Sequence, residues 1–446
     1  MVTFYKPKKT NKNKHSQPSS PIDIDALDWK GQGVGRGDNL YFVSGALPNE
    51  RCTIKHAKRN KSLIAGQAQN IENRSEHRVS PFCDVADTCG GCQLQHIEPE
   101  AALALRDDAL KQLLMRQLNM HAEVWQPPLS GARPAYRRKA RFAIDARHPH
   151  TLKMGFREKA GNAVIDIQHC PILQTKLSAL IAPLKKVLAS HDNKRVLGHV
   201  SVLAGDNVEQ VTVKHTQSLA KAYTDMMLDF AQQYRVNVLL EDAKGHITPL
   251  HLQAPLKCHT VDGYYLMPGP NDFVQVNPLV NQKMIHQALA WLSPQPHERI
   301  ADWFCGLGNF TLPIAKSGAE VQAVEGVAQM VQRAKENALA QGITNIDYLH
   351  LDLSDEKQVY EALAAGFDKV LIDPSREGAL TVCHALAKAK PNTIVYVSCN
   401  PSTFSRDARV LLEQGYKMKK AGVIEMFPYT QHMEMMALFT RQENNE

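Results

Sequence analysis

From about residue 271 the chain alternates between two patterns. Short apolar runs at 299–304, 320–324, 346–351, 369–372 and 394–397 are separated by stretches with helical spacing, such as 326–341. Runs of that length between helical segments are strands, and strands joined by helices pair in parallel, because a parallel pair needs a crossover. The helices then cover both faces of one doubly wound sheet. Two further runs, 417–426 and 434–439, have no helix between them, which predicts a reversed strand at one edge. Open sheets of this kind bind ligands outside the carboxyl ends of their strands. The residues at those ends are therefore where chemistry is expected.

The fifth run ends in Ser398-Cys399-Asn400-Pro401. Pro401 restricts Asn400 to an extended conformation. Helical spacing resumes over 402–412, with Ser402 as the expected N-cap. A cysteine shown at such a strand end is a nucleophile candidate rather than an inert core thiol. The first run ends in Asp302-Trp-Phe-Cys-Gly-Leu-Gly-Asn-Phe-Thr311. Two glycines at the first strand–helix turn allow close approach of a ligand, and the missing third glycine argues for a cofactor without a pyrophosphate. Glu325, at the second strand end, has the place of an acceptor for ribose hydroxyls. Asp352 and Asp373 end the third and fourth runs in the same crevice, Asp352 where it can meet an adenine edge.

The rest of the chain carries different signals. Residues 1–80 hold 14 Lys+Arg and 7 Asp+Glu, so they contain the whole net charge of +7. A localised positive excess is the electrostatic footprint of nucleic-acid binding. Residues 1–20 read as a disordered basic tail, and 21–80 as short strands broken by glycines. The expected turn is Gly31-Gln-Gly-Val-Gly-Arg-Gly37, and Lys55, Lys58, Arg59, Asn60 and Lys61 are expected to form a basic loop. Together they predict a small OB-like barrel. Residues 81–270 read as an α+β middle domain. It opens with an amphipathic helix over 98–120 and includes Tyr136-Arg-Arg-Lys-Ala-Arg-Phe142, a cationic, aromatic run expected on a strand.

Nine cysteines without regular spacing are no disulfide framework. Cys83, Cys89 and Cys92 nevertheless crowd together, as Cys-x5-Cys-Gly-Gly-Cys, with Cys170 followed by proline further on. Four such thiolates suit an iron–sulfur cluster or a zinc ion, and spacing alone does not separate the two. No cleavable leader and no apolar run of membrane length is present, so a cytoplasmic protein is expected.

Ser398-Cys-Asn-Pro401 resembles the nucleophile motif of the RNA uracil-C5 methyltransferases, and the resemblance extends over nearly the whole chain. It implies an S-adenosylmethionine-dependent, Rossmann-like methyltransferase domain over 271–446, a TRAM-type OB-like domain over 21–80 and an iron–sulfur central domain over 81–270. It also decides the cysteine question in favour of a [4Fe-4S] cluster on Cys83, Cys89, Cys92 and Cys170. Phe273-Val-Gln-Val-Asn-Pro278 is similar to the family's segment that brings a glutamine to the cofactor. By motif match Gln275, Phe304, Asn309, Glu325, Asp352 and Asp373 would line the cofactor crevice, with Cys399 adding to uracil C6. Pro428-Tyr-Thr-Gln-His-Met-Glu434 resembles the family's His-x-Glu, which makes Glu434 the base. His432 competes on generic grounds, because histidine is the commoner base. The loop Ser375-Arg376-Glu377-Gly378 departs from the family in carrying Glu377 where a small residue is usual. Barrel and cluster together resemble the large-subunit ribosomal RNA branch. A monomer acting on 23S ribosomal RNA, with no DNA or membrane partner, is the resulting expectation. The rivals are a cytosine-C5 DNA methyltransferase, whose Pro-Cys motif is missing, and a non-catalytic RNA-binding factor.

Overall fold

The computed structural model describes residues 20–148 and 150–441. The expected basic tail thus lies, but for Ser20, outside the described residues. The chain divides into two compact units, Met1–Pro81 with Gln93–Leu110, and Phe82–Cys92 with Lys111–Glu446.

In the first unit six strands between Ile22 and Glu72 form one sheet, around a core that includes Ile24, Val43, Cys52 and Ile54. Leu40–Ser44 pairs in parallel with Leu63–Glu72, and the other pairings are antiparallel. The expected glycine turn is mostly a strand, Gln32–Arg36. A Cβ at Gly33 would lie 2.9 Å from the Ala46 carbonyl oxygen, and one at Gly35 2.7 Å from that of Asp23. These glycines serve close backbone approach, not turning. The expected basic loop is likewise the end of the strand Arg51–Asn60 and its hairpin turn, with a register shift between Lys55 and Lys58. The predicted helix is present as Pro99–Leu118, and within this unit its Ala101 and Ala102 pack with Leu27, Leu47, Leu94 and Ile97.

The second unit contains two seven-stranded sheets. One runs through Lys139–Asp145, Leu197–Ala204 and Glu209–His215, and packs on the helices Thr175–Ala189 and Lys221–Tyr234. The cationic run at 136–142 is strand only from Lys139, and much of it is structural. Tyr136 is buried and its hydroxyl donates to the Pro428 carbonyl at 3.1 Å. Arg138 is buried against Asp206 at 2.9 Å, and Lys139 donates to the Asp272 carbonyl. Arg141 alone of its four cations is exposed.

The other sheet contains β1 (Arg299–Trp303), β2 (Glu320–Glu325), β3 (Ile346–His350), β4 (Lys369–Ile372), β5 (Thr393–Ser398), β6 (Tyr416–Ile424) and β7 (Glu434–Arg441). Its order is β3-β2-β1-β4-β5-β7-β6. β1 to β5 are parallel and β7 runs antiparallel to both its neighbours; the sequence predicts this reversal, but the reversed strand lies one place in from the edge, which β6 forms. Ile394, Val395, Tyr396 and Val397 of β5 are each no more than 1% exposed. Burying each aliphatic side chain is worth about 1.5–3 kcal/mol, and a one-residue slip would turn β5's side chains to the wrong faces. Packing of β5 thereby fixes what stands at its end. Beyond β6, Gln126 and Leu129 donate to the carbonyls of Ala421 and Val423 at 2.7 and 2.8 Å, covering the sheet edge. Arg133 closes this seam with a buried ion pair to Glu425, its Nε at 3.0 Å.

Candidate active site

β5 delivers Cys399 directly. Asn400, not Ser402, caps the next helix, Pro401–Glu413, its side chain accepting from Ser402 N at 3.2 Å. Pro401 is then the first helical residue, a position where its missing N–H costs nothing. Cys399 is held between a buried strand and a capped helix. Ser398 pairs with Met435 across the antiparallel ladder, so the next residues outward, Cys399 and Glu434, adjoin at one end of the sheet. Asp373 follows β4 on the other side of β5, its backbone N–H on the Trp303 carbonyl at 3.2 Å.

Burial and neighbouring carboxyl groups set the protonation of these three groups. Glu434 is only 6% exposed, and its Oε2 is buried with no hydrogen-bond partner. Burial, reinforced by Asp373, pushes its pKa up to about 8. Asp373 is pushed up to about 7 by burial and then by Asp302. Asp302 itself, fully buried and accepting from the Thr311 hydroxyl at 2.5 Å, is also raised to about 7, chiefly by burial. Burial, then Glu434 and Asp373, push the Cys399 thiol up to about 11, with the Arg376 guanidinium opposing them. A site that favours the thiolate is thus not what the free protein holds. It holds a protonated thiol beside two carboxyl groups that titrate near neutrality. His432 is exposed, 3.4 Å from the Arg376 guanidinium through Nε2, with its ring against Phe427.

At the first strand–helix turn Phe304, Gly306 and Gly308 all have positive φ, at 64°, 57° and 97°. For Phe304, which has a Cβ, that is a strained conformation. Glu325 ties the turn to β2, accepting from Gly306 N at 3.1 Å and from Val327 N at 3.0 Å. Asp352 accepts from the backbone and hydroxyl of Ser354, at 2.9 and 2.7 Å. Asn309 exchanges two 2.9 Å amide hydrogen bonds with Asn281 of the helix Pro278–Leu292. Gln275 has a buried amide oxygen with no hydrogen-bond partner.

A cleft of about 610 Å³ opens beside the sheet's carboxyl end, within the size range of small-molecule sites. Phe304, Gly326, Asp352, Ser354, Glu377 and Arg406 are among its lining residues. Of the six predicted cofactor residues, Phe304 and Asp352 line it directly. Glu325 shapes the turn beside it, while Gln275, Asn309 and Asp373 lie outside its lining. Sequence reasoning missed Asp302, Asn281, Arg406 and Asp407. None has a local signature, since each matters through a neighbour distant in sequence.

Cys83, Cys89, Cys92 and Cys170 are all partly buried. Cys170 is raised by burial and then, beyond its backbone hydrogen bonds, by Cys83 and Cys89, so these three stand within electrostatic reach of one another. Gly91 N–H donates to Cys89 Sγ at 3.4 Å. Among the described residues no group of three or more His, Cys, Asp or Glu side chains is arranged to hold a metal ion. Nor is any helix long and apolar enough to cross a membrane.

The likenesses of the chain agree with this geometry. Residues 98–442 match the family described as tRNA (Uracil-5-)-methyltransferase. The 23S rRNA (uracil(1939)-C(5))-methyltransferase RlmD of Alteromonas naphthalenivorans is 62% identical, over 97% of this chain and 93% of the relative. RlmD of Yersinia enterocolitica is 37% identical over 99% of both chains. Among solved structures, Pyrococcus abyssi tRNA (uracil-54, C5)-methyltransferase in complex with S-adenosyl-L-homocysteine superposes with a TM-score of 0.72. At 22% identity, covering 94% of this chain and all of that one, it shares the fold. A methyltransferase sheet with a cysteine and a buried carboxylate side by side at one end, matched over nearly the whole length of these relatives, places this chain in the tRNA (uracil-5-)-methyltransferase family.

Proposed function

We propose that this protein methylates C5 of a uridine in 23S ribosomal RNA, with S-adenosylmethionine as methyl donor. The observation that carries the reading is the adjacency of Cys399 and Glu434 where β5 ends and β7 begins, at the same end of the sheet as the 610 Å³ cleft. The naming of the relatives for uracil-1939 of 23S rRNA supports the choice of RNA.

Uracil C5 is too weak a nucleophile to be methylated directly, which is why a thiol is needed. Cys399 Sγ adds to C6 and its proton passes to a neighbouring carboxylate, the ring becoming an enolate nucleophilic at C5. S-adenosylmethionine, when bound, supplies an electrophilic methyl group on a sulfonium. Glu434 as carboxylate then takes the C5 proton, the C5=C6 bond re-forms and Cys399 leaves as thiolate. Glu434 is preferred to His432 because it is buried next to Cys399, whereas His432 is exposed beside Arg376. Phe304, Glu325, Asp352, Gln275 and Asn309 are assigned to the cofactor, and Asp373 to the cofactor and a place beside the target uracil. The buried, unpartnered oxygen of Gln275 fits a group that acquires its donor on binding.

The four thiols are assigned to a [4Fe-4S] cluster. Their chemistry suits iron, and the Gly91 N–H on Cys89 Sγ is the kind of sulfur hydrogen bond that tunes such centres. Thiolates around several irons also stand further apart than those around a single zinc ion. The cluster's role is read as structural or as support for RNA binding.

The deciding experiment maps 5-methyluridine in 23S rRNA from cells lacking the protein, and repeats methylation of that unmodified rRNA with purified enzyme. Loss of one modified uridine, restored in vitro, is expected. An unchanged modification pattern in such cells overturns the reading.

A further inference from the structure

We propose that Asp407 is a positioning residue: through the loop 375–379 it links occupancy of the cofactor cleft to the setting of the Cys399 thiol. The inference rests on the reading of the cleft as the cofactor site.

Ser375, Glu377, Gly378 and Ala379 line the cleft. The loop is held almost entirely by side chains of one element, the helix that starts directly after the nucleophile. Asn400 Nδ2 donates to the Arg376 carbonyl at 2.9 Å, and the Thr403 hydroxyl to the same oxygen at 3.3 Å. Arg406 donates through Nη2 to the Glu377 carbonyl at 2.9 Å. Asp407 has no exposed surface. Its Oδ2 accepts from Ala379 N at 2.7 Å and from the Tyr396 hydroxyl at 2.8 Å, and its Oδ1 from Arg406 Nε at 2.7 Å. The fit is close enough to require glycine. Gly378 has φ of +79°, and a Cβ there would lie 2.5 Å from Asp407 Oδ2 and 2.7 Å from the Arg406 guanidinium.

One buried carboxylate thus fastens the cleft wall, the strand β5 through Tyr396, and the helix capped by Asn400. Cys399 lies between the last two. A ligand that presses on 375–379 acts on a rigid wall continuous with the nucleophile turn, and on Arg376, whose charge reaches the thiol.

Two measurements on the full-length protein test this. The first is the affinity for S-adenosylhomocysteine. The second is the rate at which iodoacetamide alkylates Cys399, read on its peptide by mass spectrometry, with and without saturating S-adenosylhomocysteine. In wild type, occupancy should change the alkylation rate. Asp407→Asn keeps the shape but places an amide N–H against donors. It should weaken binding by at least about tenfold, the scale of a lost charge-assisted hydrogen bond, and make alkylation indifferent to the ligand. Tyr396→Phe removes another bond to the same carboxylate without touching the loop. It should lower thermal stability yet leave the ligand dependence intact. If Asp407→Asn does not fold, Thr403→Val, which strips one bond from the loop, should show a smaller loss in the same direction. The proposal falls if Asp407→Asn and Tyr396→Phe behave alike, or if alkylation of wild type ignores the bound ligand. If wild type does not bind S-adenosylhomocysteine, the cofactor reading of the cleft falls first and takes this inference with it.

Discussion

In the proposed mechanism Cys399 and Glu434 act on opposite sides of methyl transfer, so their substitutions should fail differently. Cys399→Ala should abolish both methylation and any covalent adduct. Glu434→Gln cannot remove the C5 proton, and should accumulate methylated RNA bound to protein, seen as a band that survives denaturation. Normal turnover by Glu434→Gln together with trapping by His432→Ala would reassign the base. The same carboxyl group has a stability signature. Its folded pKa of about 8 lies above the ordinary value of 4.5, so the folded chain binds more protons than the unfolded one between these limits. Stability from this group is full below about pH 4.5 and is lost as pH rises through 8. Glu434→Gln, which needs no proton, should therefore melt several degrees higher than wild type at pH 8.5 and at the same temperature as wild type at pH 4.5. Calorimetry at the two pH values decides. Activity should run the other way, kcat/KM rising with pH up to about 8 as the base is freed.

At the scale of elements, a buried ion pair adds to the backbone pairing that holds the seam beyond β6. Arg133 and Glu425 have side chains only 8% and 5% exposed. Removing one partner of a buried ion pair leaves the other charge poorly compensated, at a cost of up to about 3–5 kcal/mol, whereas replacing both by apolar residues of similar size can be neutral. Arg133→Ala should accordingly lower the urea midpoint strongly, and Arg133→Met with Glu425→Leu should recover most of the loss. Equal midpoints for Arg133→Ala and wild type would show that the backbone pairing of 126–129 holds the edge unaided. Elements were also where sequence reading was most and least successful. The first five strands of the methyltransferase sheet were legible because each is a short run separated from the next by helical spacing, and the last two because they follow one another without a helix. The strand Gln32–Arg36 was not, since glycines that permit close backbone approach look the same in sequence as glycines that turn.

For the molecule as a whole, the positive excess of residues 1–80 should appear in RNA binding. Replacing Lys55, Lys58, Arg59 and Lys61 by glutamine should weaken affinity and flatten its salt dependence. The log–log slope should fall by about 0.7 for each single-strand phosphate that is no longer neutralised. An unchanged slope would make the excess incidental. Anaerobically purified protein should be brown and contain iron and sulfide; colourless protein with one zinc per chain would refute the cluster.

The sequence by itself determined the order of strands and helices, the placing of Cys399, Asp373 and Glu434 at the ends of strands, and the likeness to uracil-C5 methyltransferases. These are matters of periodicity and of motifs a few residues long. Only the tertiary structure decided which of those ends adjoin, because the reversal of β7 between β5 and β6 brings Glu434 next to Cys399, opposite Asp373 on the β4 side. It also decided the protonation of the site. The Cys399 thiol stands near 11 and Glu434 near 8 because packing removes water from both and sets Glu434 and Asp373 beside the thiol and Asp373 beside Glu434. Desolvation is a property of the assembled core, and no short stretch of sequence encodes it.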